Sequence, residues 1–179
     1  MMKLKNCAKK ILFKNGTIID PILEKGYKGD VLVENGKIAA VGNVDVKNAE
    51  VIDCSGLIVT HGFCDLHVHF REPGREDKET LETGSRAALA GGFTRVCTMP
   101  NTNPPIDSPE SIRFIYEKAK ECPIHIHPIG AATKGQLGQE LTEMAGMSTE
   151  GAIAFSDDGL PIMDGGVMRR VLEYGGMLD

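Results

Sequence analysis

Two histidines separated by a single residue, His67 and His69, are the side chains of this sequence with the clearest chemical use. In a β-strand, residues two apart point to the same face, so both imidazoles would project together. Imidazole nitrogens are common ligands of zinc and of other divalent metals. A bare His-x-His pair also occurs on polar strand faces where the histidines have only a structural role. The neighbouring residues must therefore decide between the two interpretations.

The residues around this pair favour a metal site. Asp65 precedes the histidines and Arg71 follows them with the same alternation, so all four side chains would share one face. An arginine can bind a carboxylate through two parallel hydrogen bonds, and a Pro-Gly turn then ends the element. The sequence predicts His67 and His69 as metal ligands beside an anion-binding Arg71. An ordinary surface arginine is the alternative for Arg71.

A second pair with the same spacing, His125 and His127, competes for the metal. These histidines also share one face of a predicted strand, with isoleucines on the opposite face. No arginine or acidic residue follows them at the end of the strand. We therefore predict a structural role for this pair, or a position behind the metal ligands.

Polar side chains follow two other predicted strands. Asn101 lies in a proline-rich segment that would be a stiff loop, and its amide could donate or accept hydrogen bonds. Asp157 and Asp158 follow a later strand, where one carboxylate could bind a metal while the other holds the loop. An Asx turn at Asn101 and an Asp-Gly turn after Asp158 are the alternatives.

The elements that would position these residues alternate between strand and helix after Gly62. The strands recur about every 30 residues, which is the length of one βα unit and implies a parallel sheet. The predicted strands are Phe63–Phe70, Phe93–Met99, Ile124–Ile129 and Gly151–Phe155. The predicted helices are Asp77–Gly91, one that begins at Ser108, a weaker one over Gln136–Ala145 and one capped by Asp164.

The first third of the chain has a different pattern. Residues 1–60 contain short strands, with Asn15-Gly16 and Asn35-Gly36 predicted as hairpin turns, and we expect a small β-rich domain there. Residues 61–179 hold about four βα units, half of the eight in a TIM-type barrel. The sequence therefore predicts the N-terminal half of a (β/α)₈ barrel, interrupted where a fifth strand should begin. An open four-stranded sheet is the alternative.

The composition excludes several classes of protein. Hydrophobic residues make up 41% and charged residues 25% of the 179 residues, typical of a globular protein. The formal charge of -5 and the absence of a basic stripe argue against nucleic acid as a partner. No apolar run reaches the roughly 18 residues of a membrane span, and no secretory signal is present. The five scattered cysteines indicate free thiols and a cytoplasmic location.

Three motifs together carry a resemblance to a known superfamily. They are HFREPG at residues 69–74, MPNTNP at residues 99–104 and FSDDG at residues 155–159. With these motifs the chain resembles the amidohydrolase superfamily and, within it, the type I bacterial dihydroorotases, over essentially all of its length. The His-x-His pair alone is typical of the whole superfamily, whereas the three motifs favour dihydroorotases over hydantoinases and allantoinases.

The resemblance implies a metal site. His67 and His69 would bind the more buried of one or two divalent ions, usually zinc. Asp158 would contact one or both ions in the place that a carbamylated lysine takes in many relatives, and it would act in catalysis. Asp157 is the alternative ligand if the alignment shifts by one residue.

The resemblance also implies a substrate and a reaction. Arg71 and Asn101 would bind the carboxylate of a small-molecule substrate. The reaction would be the reversible interconversion of N-carbamoyl-L-aspartate and L-dihydroorotate in pyrimidine biosynthesis. Two further histidine ligands and an aspartate general acid would come from later strands outside this chain, so the fragment alone would be inactive.

Two other functions remain compatible with the same residues. One is a hydantoinase-like or allantoinase-like cyclic amidase, which would have less need of Arg71. The other is a non-catalytic dihydroorotase-like partner of aspartate transcarbamoylase, although both metal-binding histidines are present here. For the full-length protein we expect a homo-oligomer.

Overall fold

The computed structural model describes residues 10–22 and 25–178. The chain divides into two compact units, Met1–His61 and Gly62–Asp179. Cys7 and the basic N-terminal segment lie outside the described residues. The cysteines at 54, 64, 97 and 122 are free thiols. None of the described helices is long and apolar enough to cross a membrane.

The first unit contains a five-stranded sheet. The order is β3-β2-β1-β4, and β5 also pairs with β1. The β1–β2 and β2–β3 pairs are antiparallel, whereas β4 and β5 run parallel to β1. The strands are β1 Ile11–Asp20, β2 Lys25–Glu34, β3 Lys37–Gly42, β4 Glu50–Asp53 and β5 Ile58–Val59.

One of the two predicted hairpin turns in this unit is confirmed and the other is wrong. Asn35 and Gly36 join β2 to β3 with φ values of 53° and 74°, the left-handed conformation that a two-residue hairpin turn requires. Asn15 also has a positive φ of 63°, but β1 continues through it. The β1–β2 register shifts between Phe13 and Gly16, so this Asn-Gly pair forms a bulge within one strand.

The second unit contains a parallel sheet of order β6-β7-β8, as the βα spacing predicts. Helix α1 packs against β7, and helix α2 packs against β8. The elements are β6 Phe63–Val68, α1 Leu81–Ala90, β7 Phe93–Thr98, α2 Pro109–Ala119, β8 His125–Pro128, α3 Met144–Thr149 and α4 Gly165–Gly175.

The helix starts follow local capping signals. Thr80 and Ser108 each accept a hydrogen bond from the backbone three residues on, in reciprocal capping boxes, and Asp164 accepts from the first turn of α4. Helix α1 therefore begins at Leu81, later than the predicted Asp77. The predicted starts at Ser108 and Asp164 are confirmed.

Two predicted elements have different forms. The segment predicted as the strand Gly151–Phe155 pairs with its neighbour through one parallel bridge, Gly130 to Phe155. The predicted helix Gln136–Ala145 is wrong, because a single 3-10 turn, Lys134–Gln136, precedes a loop and α3. Positive φ values at Gly135 and Gln136 are incompatible with a continuous helix there.

The core of the second unit lies between one face of the parallel sheet and the helices. Val96 and Ile126 from the sheet pack with Leu81 of α1 and with Ile112 and Ile115 of α2. Hydrophobic burial of this kind fixes the strands relative to the helices. The sheet also carries exposed side chains, among them Leu66, Arg95 and His125.

Candidate metal centre

The predicted site residues lie where parallel strands end. His67 is the penultimate residue of β6 and His69 follows its end. Asn101 follows β7, and Asp158 follows the bridge between Gly130 and Phe155. Parallel strands bring their carboxyl ends to the same edge of a sheet, so residues far apart in sequence meet there.

Three of these side chains converge on one point. The Nε2 atoms of His67 and His69 are 3.2 Å apart. Asp158 lies 3.3 Å from His67 Nε2 through Oδ1 and 3.5 Å from His69 Nε2 through Oδ2. Among residues 10–22 and 25–178, no other group of three His, Cys, Asp or Glu side chains converges in this way.

The spacing of the two nitrogens and the two carboxylate oxygens fits a divalent metal. Zinc binds nitrogen and carboxylate oxygen at about 2.0–2.2 Å in a tetrahedral arrangement, which separates any two ligand atoms by about 3.4 Å. The observed separations of 3.2, 3.3 and 3.5 Å match that spacing. Lone pairs of neutral imidazoles and of a carboxylate repel each other when they converge, so a cation between them is the natural complement.

Asn101 makes a direct contact with one of the histidines. His69 Nδ1 lies 2.9 Å from Asn101 Oδ1. A carboxamide oxygen only accepts hydrogen bonds, so His69 donates from Nδ1, and in the neutral ring Nε2 is then the acceptor. Metal-binding histidines are usually oriented by such a hydrogen bond from the other ring nitrogen.

The two adjacent aspartates have different surroundings. Asp158 is one fifth exposed and faces the histidines. Asp157 is buried and accepts hydrogen bonds from the backbone N–H groups of Ala132 and Thr133, at 2.8 and 3.0 Å, and from the Thr133 hydroxyl. Asp157 therefore ties its loop to the loop that follows β8, and the geometry brings Asp158 rather than Asp157 to the histidines.

Arg71 follows His69 by two residues in the loop after β6 and is partly exposed. Within the described part of the chain, its guanidinium has no ion pair or hydrogen bond. Glu72 next to it is buried, and its carboxylate accepts from the Leu81 backbone N–H at 2.9 Å. Lys118 binds the other oxygen of Glu72 at 2.8 Å, and this hydrogen bond raises the pKa of Lys118. Glu72 thus anchors the loop that presents Arg71.

The loops after β6 and β7 are in close contact. Asn103 donates its backbone N–H to the Pro73 carbonyl at 3.1 Å. Gly74 has a φ of +100°, and a Cβ at this position would lie 2.0 Å from the Asn103 carbonyl oxygen. Only glycine permits this approach. The contact joins the loop of Arg71 to the loop of Asn101.

The second histidine pair has a different environment. Arg95 Nη1 lies 3.2 Å from His127 Nε2, and the rings of His125 and His127 are stacked with centroids 6.4 Å apart. Burial, then the charge of Arg95 and then His125, lower the pKa of His127. No acidic side chain joins these histidines in a ligand cluster among the described residues.

Asp65 and Glu72 have roles that simple strand alternation does not give. Asp65 was expected on the same face as the histidines, and its carboxylate accepts from the His67 backbone N–H at 3.0 Å. The register of β6 shifts between Asp65 and Val68, so simple alternation fails there. The anchoring by Glu72 was not predicted, and the acidic residue within the HFREPG motif was the available signal. The tie made by Asp157 agrees with the expectation that one of the two adjacent aspartates holds the loop.

A parallel βα sheet with a His-His-Asp cluster at its carboxyl edge is an arrangement that could hold a metal ion. The family described as dihydro-orotase-like matches residues 56–179. The chain belongs to this dihydro-orotase-like family, and the family is one of metal-dependent cyclic-amide hydrolases.

Curated proteins similar in sequence to this chain are dihydroorotases. A dihydroorotase of Pelotomaculum thermopropionicum is 50% identical over 170 residues, covering 94% of this chain and 40% of the relative. A dihydroorotase of Solibacter usitatus is 48% identical over 171 residues, with the same coverage of 94% and 40%. The chain therefore spans about 40% of the length of these curated relatives.

A solved structure supports the fold. The L-hydantoinase (dihydropyrimidinase) from Arthrobacter aurescens matches with a TM-score of 0.76 and 23% identity, over 94% of this chain and 38% of that chain. The α/β fold with a β-rich N-terminal part is thus shared with hydantoinases.

Proposed function

We propose that the protein to which this chain belongs is a zinc-dependent dihydroorotase, which interconverts N-carbamoyl-L-aspartate and L-dihydroorotate in pyrimidine biosynthesis. The observation that carries the proposal is the triangle of His67, His69 and Asp158, with edges of 3.2 to 3.5 Å. The dihydroorotases that are about half identical to the chain support the choice of substrate.

In this proposal His67, His69 and Asp158 hold the metal. Both oxygens of Asp158 face the histidines, so its carboxylate is a ligand and part of the catalytic centre. Two nitrogen ligands and one oxygen ligand suit zinc. A zinc ion bound here supplies Lewis-acid activation of water and of the ring amide carbonyl. One or two ions are compatible with this arrangement.

Arg71 and Asn101 bind the substrate carboxylate in this proposal. The Arg71 guanidinium is free of protein partners within the described residues, so two parallel hydrogen bonds to a carboxylate are available. The Asn101 amide nitrogen can donate a further hydrogen bond. The contact of Asn103 with Pro73 and Gly74 holds together the two loops that carry these groups.

The test uses the full-length protein loaded with zinc. It should convert L-dihydroorotate to N-carbamoyl-L-aspartate and catalyse the reverse reaction, which ultraviolet absorbance can follow. Arg71→Gln should raise KM at least tenfold, because a charged hydrogen bond to the substrate is lost. Arg75→Gln is the matched control, since Arg75 pairs with Asp77 on the same loop. Metal-loaded protein without turnover would refute the proposed function.

A hydantoinase-like or allantoinase-like cyclic amidase is the second candidate, and the likeness to a hydantoinase structure favours it. Arg71 discriminates between the two, because it suits a ring that carries a carboxylate. If Arg71→Gln leaves the preference between dihydroorotate and hydantoin unchanged, the second candidate is the better one.

We also propose the architecture and surroundings of the whole protein. The sheet has helices packed on one face and exposed side chains such as Arg95 and His125, as the inner face of an incomplete (β/α)₈ barrel would have. Residues 61–179 would form the first half of that barrel and residues 1–60 part of a flanking β domain. Labelling of the exposed Cys64 thiol should be much slower in the full-length protein.

The partners and location belong to the same proposal. A cytoplasmic homo-oligomer is expected, and aspartate transcarbamoylase is a candidate partner. A non-catalytic role beside that enzyme would be supported by stable co-purification of metal-free protein. The intact triangle of His67, His69 and Asp158 favours catalysis instead.

A further inference from the structure

We propose that Asn101 is a positioning residue that links recognition of the substrate carboxylate to the metal centre. Its Oδ1 holds His69 in the tautomer that leaves Nε2 free, while its Nδ2 donates to the carboxylate. The second half of this inference rests on the proposed function, whereas the first half depends on the metal centre alone.

The first half follows from the 2.9 Å contact between His69 Nδ1 and Asn101 Oδ1. This contact requires a proton on Nδ1, so in the neutral ring Nε2 carries the lone pair that a metal ion would bind. The same Nε2 lies 3.2 Å from His67 Nε2 and 3.5 Å from Asp158 Oδ2. In the described part of the chain, His67 has no comparable partner for its Nδ1, so the ring of His69 is the better oriented of the two.

The second half of the inference follows from the amide nitrogen Nδ2 of Asn101. The Nδ2 atom of Asn101 makes no hydrogen bond with the described residues. Gly159 leaves room beside it, because even a Cβ added there would lie 4.0 Å from Nδ2. The carboxamide is planar, so the bond from Oδ1 to His69 also fixes the direction in which Nδ2 donates. One side chain therefore orients a metal ligand and presents a donor to the substrate.

The first experiment reads the tautomer of His69 directly. Long-range ¹H–¹⁵N correlation spectra of the metal-free chain are recorded above the ordinary histidine pKa, and His69 is assigned by its absence in His69→Gln. The proposal expects a protonated Nδ1 in the wild type and a loss of this preference in Asn101→Ala. A wild-type His69 protonated on Nε2 would overturn the proposal, and this result does not depend on Asn101→Ala being folded.

The second experiment measures zinc affinity by competition with a chelator. Asn101→Ala should weaken binding by about 10–100-fold, the usual effect of losing a hydrogen bond to a metal-binding histidine. Asn101→Asp keeps an acceptor for Nδ1 and should bind zinc at least as tightly as the wild type. Asn103→Ala, which removes an exposed amide from the same loop, is the matched control and should leave affinity unchanged.

The zinc affinities of these variants distinguish loss of the hydrogen bond to His69 from a general defect in the loop or the fold. Circular dichroism and thermal melting show whether each variant is folded. If Asn101→Ala binds zinc as Asn103→Ala does, or if Asn101→Asp loses as much affinity as Asn101→Ala, the proposal is overturned. Restoration by Asn101→Asp supports it, because a loop defect would not be repaired by an acceptor.

The third experiment tests the carboxylate half in the zinc-loaded full-length protein. Asn101→Asp retains the acceptor but replaces the donor by a negative charge, so KM for dihydroorotate should rise at least tenfold while zinc content stays the same. An unchanged KM would overturn the carboxylate half. Absence of turnover in the wild type would overturn the proposed function and this half together, while the zinc titrations would still decide the role of Asn101 toward His69.

Discussion

Two histidine pairs with the same spacing lie on either side of β7, and their surroundings differ in charge. His67 and His69 meet Asp158, and their Nε2 atoms are 3.2 Å apart. The rings of His125 and His127 are stacked with centroids 6.4 Å apart, and Arg95 lies against the second of them. A carboxylate attracts a cation to the first pair, whereas a guanidinium opposes one at the second.

The pairs also differ in their place along the strand. His67 and His69 lie at the carboxyl end of β6, where loops from other strands can add ligands. His125 begins β8, so this pair lies within the sheet. The His-x-His spacing is the same in both pairs and does not distinguish them. Their positions along the strands and the charges of their neighbours decide which pair can hold a metal.

The largest effect is expected from removing one imidazole of each pair. His69→Ala should weaken zinc binding by about a thousandfold, or about 4 kcal/mol, because it removes a ligand from the triangle. His127→Ala should leave the affinity within about threefold, since no acid completes a site there. Chelator competition measures both variants. Equal losses in the two variants would show that the second pair also binds metal.

A smaller effect is expected from loosening the loop that carries Asp158 to His67 and His69. Asp157→Ala removes the acceptor of three buried hydrogen bonds and should lower the free energy of unfolding by about 3 kcal/mol. Urea denaturation measures it. Asp164→Ala, which removes a carboxylate that caps an exposed helix end, is the control and should cost less. If the two variants are equally stable, Asp157 does not hold the loop.

The next smaller effect is expected from disturbing the contact between the loops after β6 and β7. Gly74→Ala should destabilise the fold by about 2 kcal/mol, because alanine disfavours a φ of +100° and its Cβ would meet the Asn103 carbonyl. Zinc affinity should fall as the Asn101 loop moves. Gly36→Ala is a useful comparison, since its positive φ has no neighbour within 4 Å. Unchanged zinc affinity in a destabilised Gly74→Ala would separate this loop contact from the metal centre.

The smallest effect is expected for the pKa of His127 in the second pair. Burial contributes most to the lowered pKa of His127, and Arg95 adds to it. Arg95→Met should therefore raise the pKa of His127 while leaving it below the ordinary histidine value, which NMR titration of the ring protons can follow. A lowered pKa favours the neutral form in the folded state. The contribution of His127 to stability is therefore fully present above the ordinary histidine pKa near 6.5 and is lost as the pH falls from there through the lowered pKa. A pKa that stays the same in Arg95→Met would exclude the proposed charge effect.

Much of the fold was predictable because its signals are local. Ser108 and Asp164 cap helices through backbone groups within three residues, and Asn35-Gly36 forms its turn through its own dihedral angles. Failures occurred where the same local signals allow two structures. Asn15-Gly16 can form a turn or a bulge, and pairing with β2 along the whole of β1 selected the bulge.

The residue types and spacing by themselves predicted a His-x-His pair with metal-ligand spacing on a strand of a parallel βα series, with amide and carboxylate groups at later strand ends. Only the tertiary structure decided which acid reaches the histidines and what Asn101 contacts. Asn101 and His69 are 32 residues apart, and their contact depends on the order of the strands and the path of two loops. Such contacts arise from packing over the whole unit, so no short stretch of sequence specifies them.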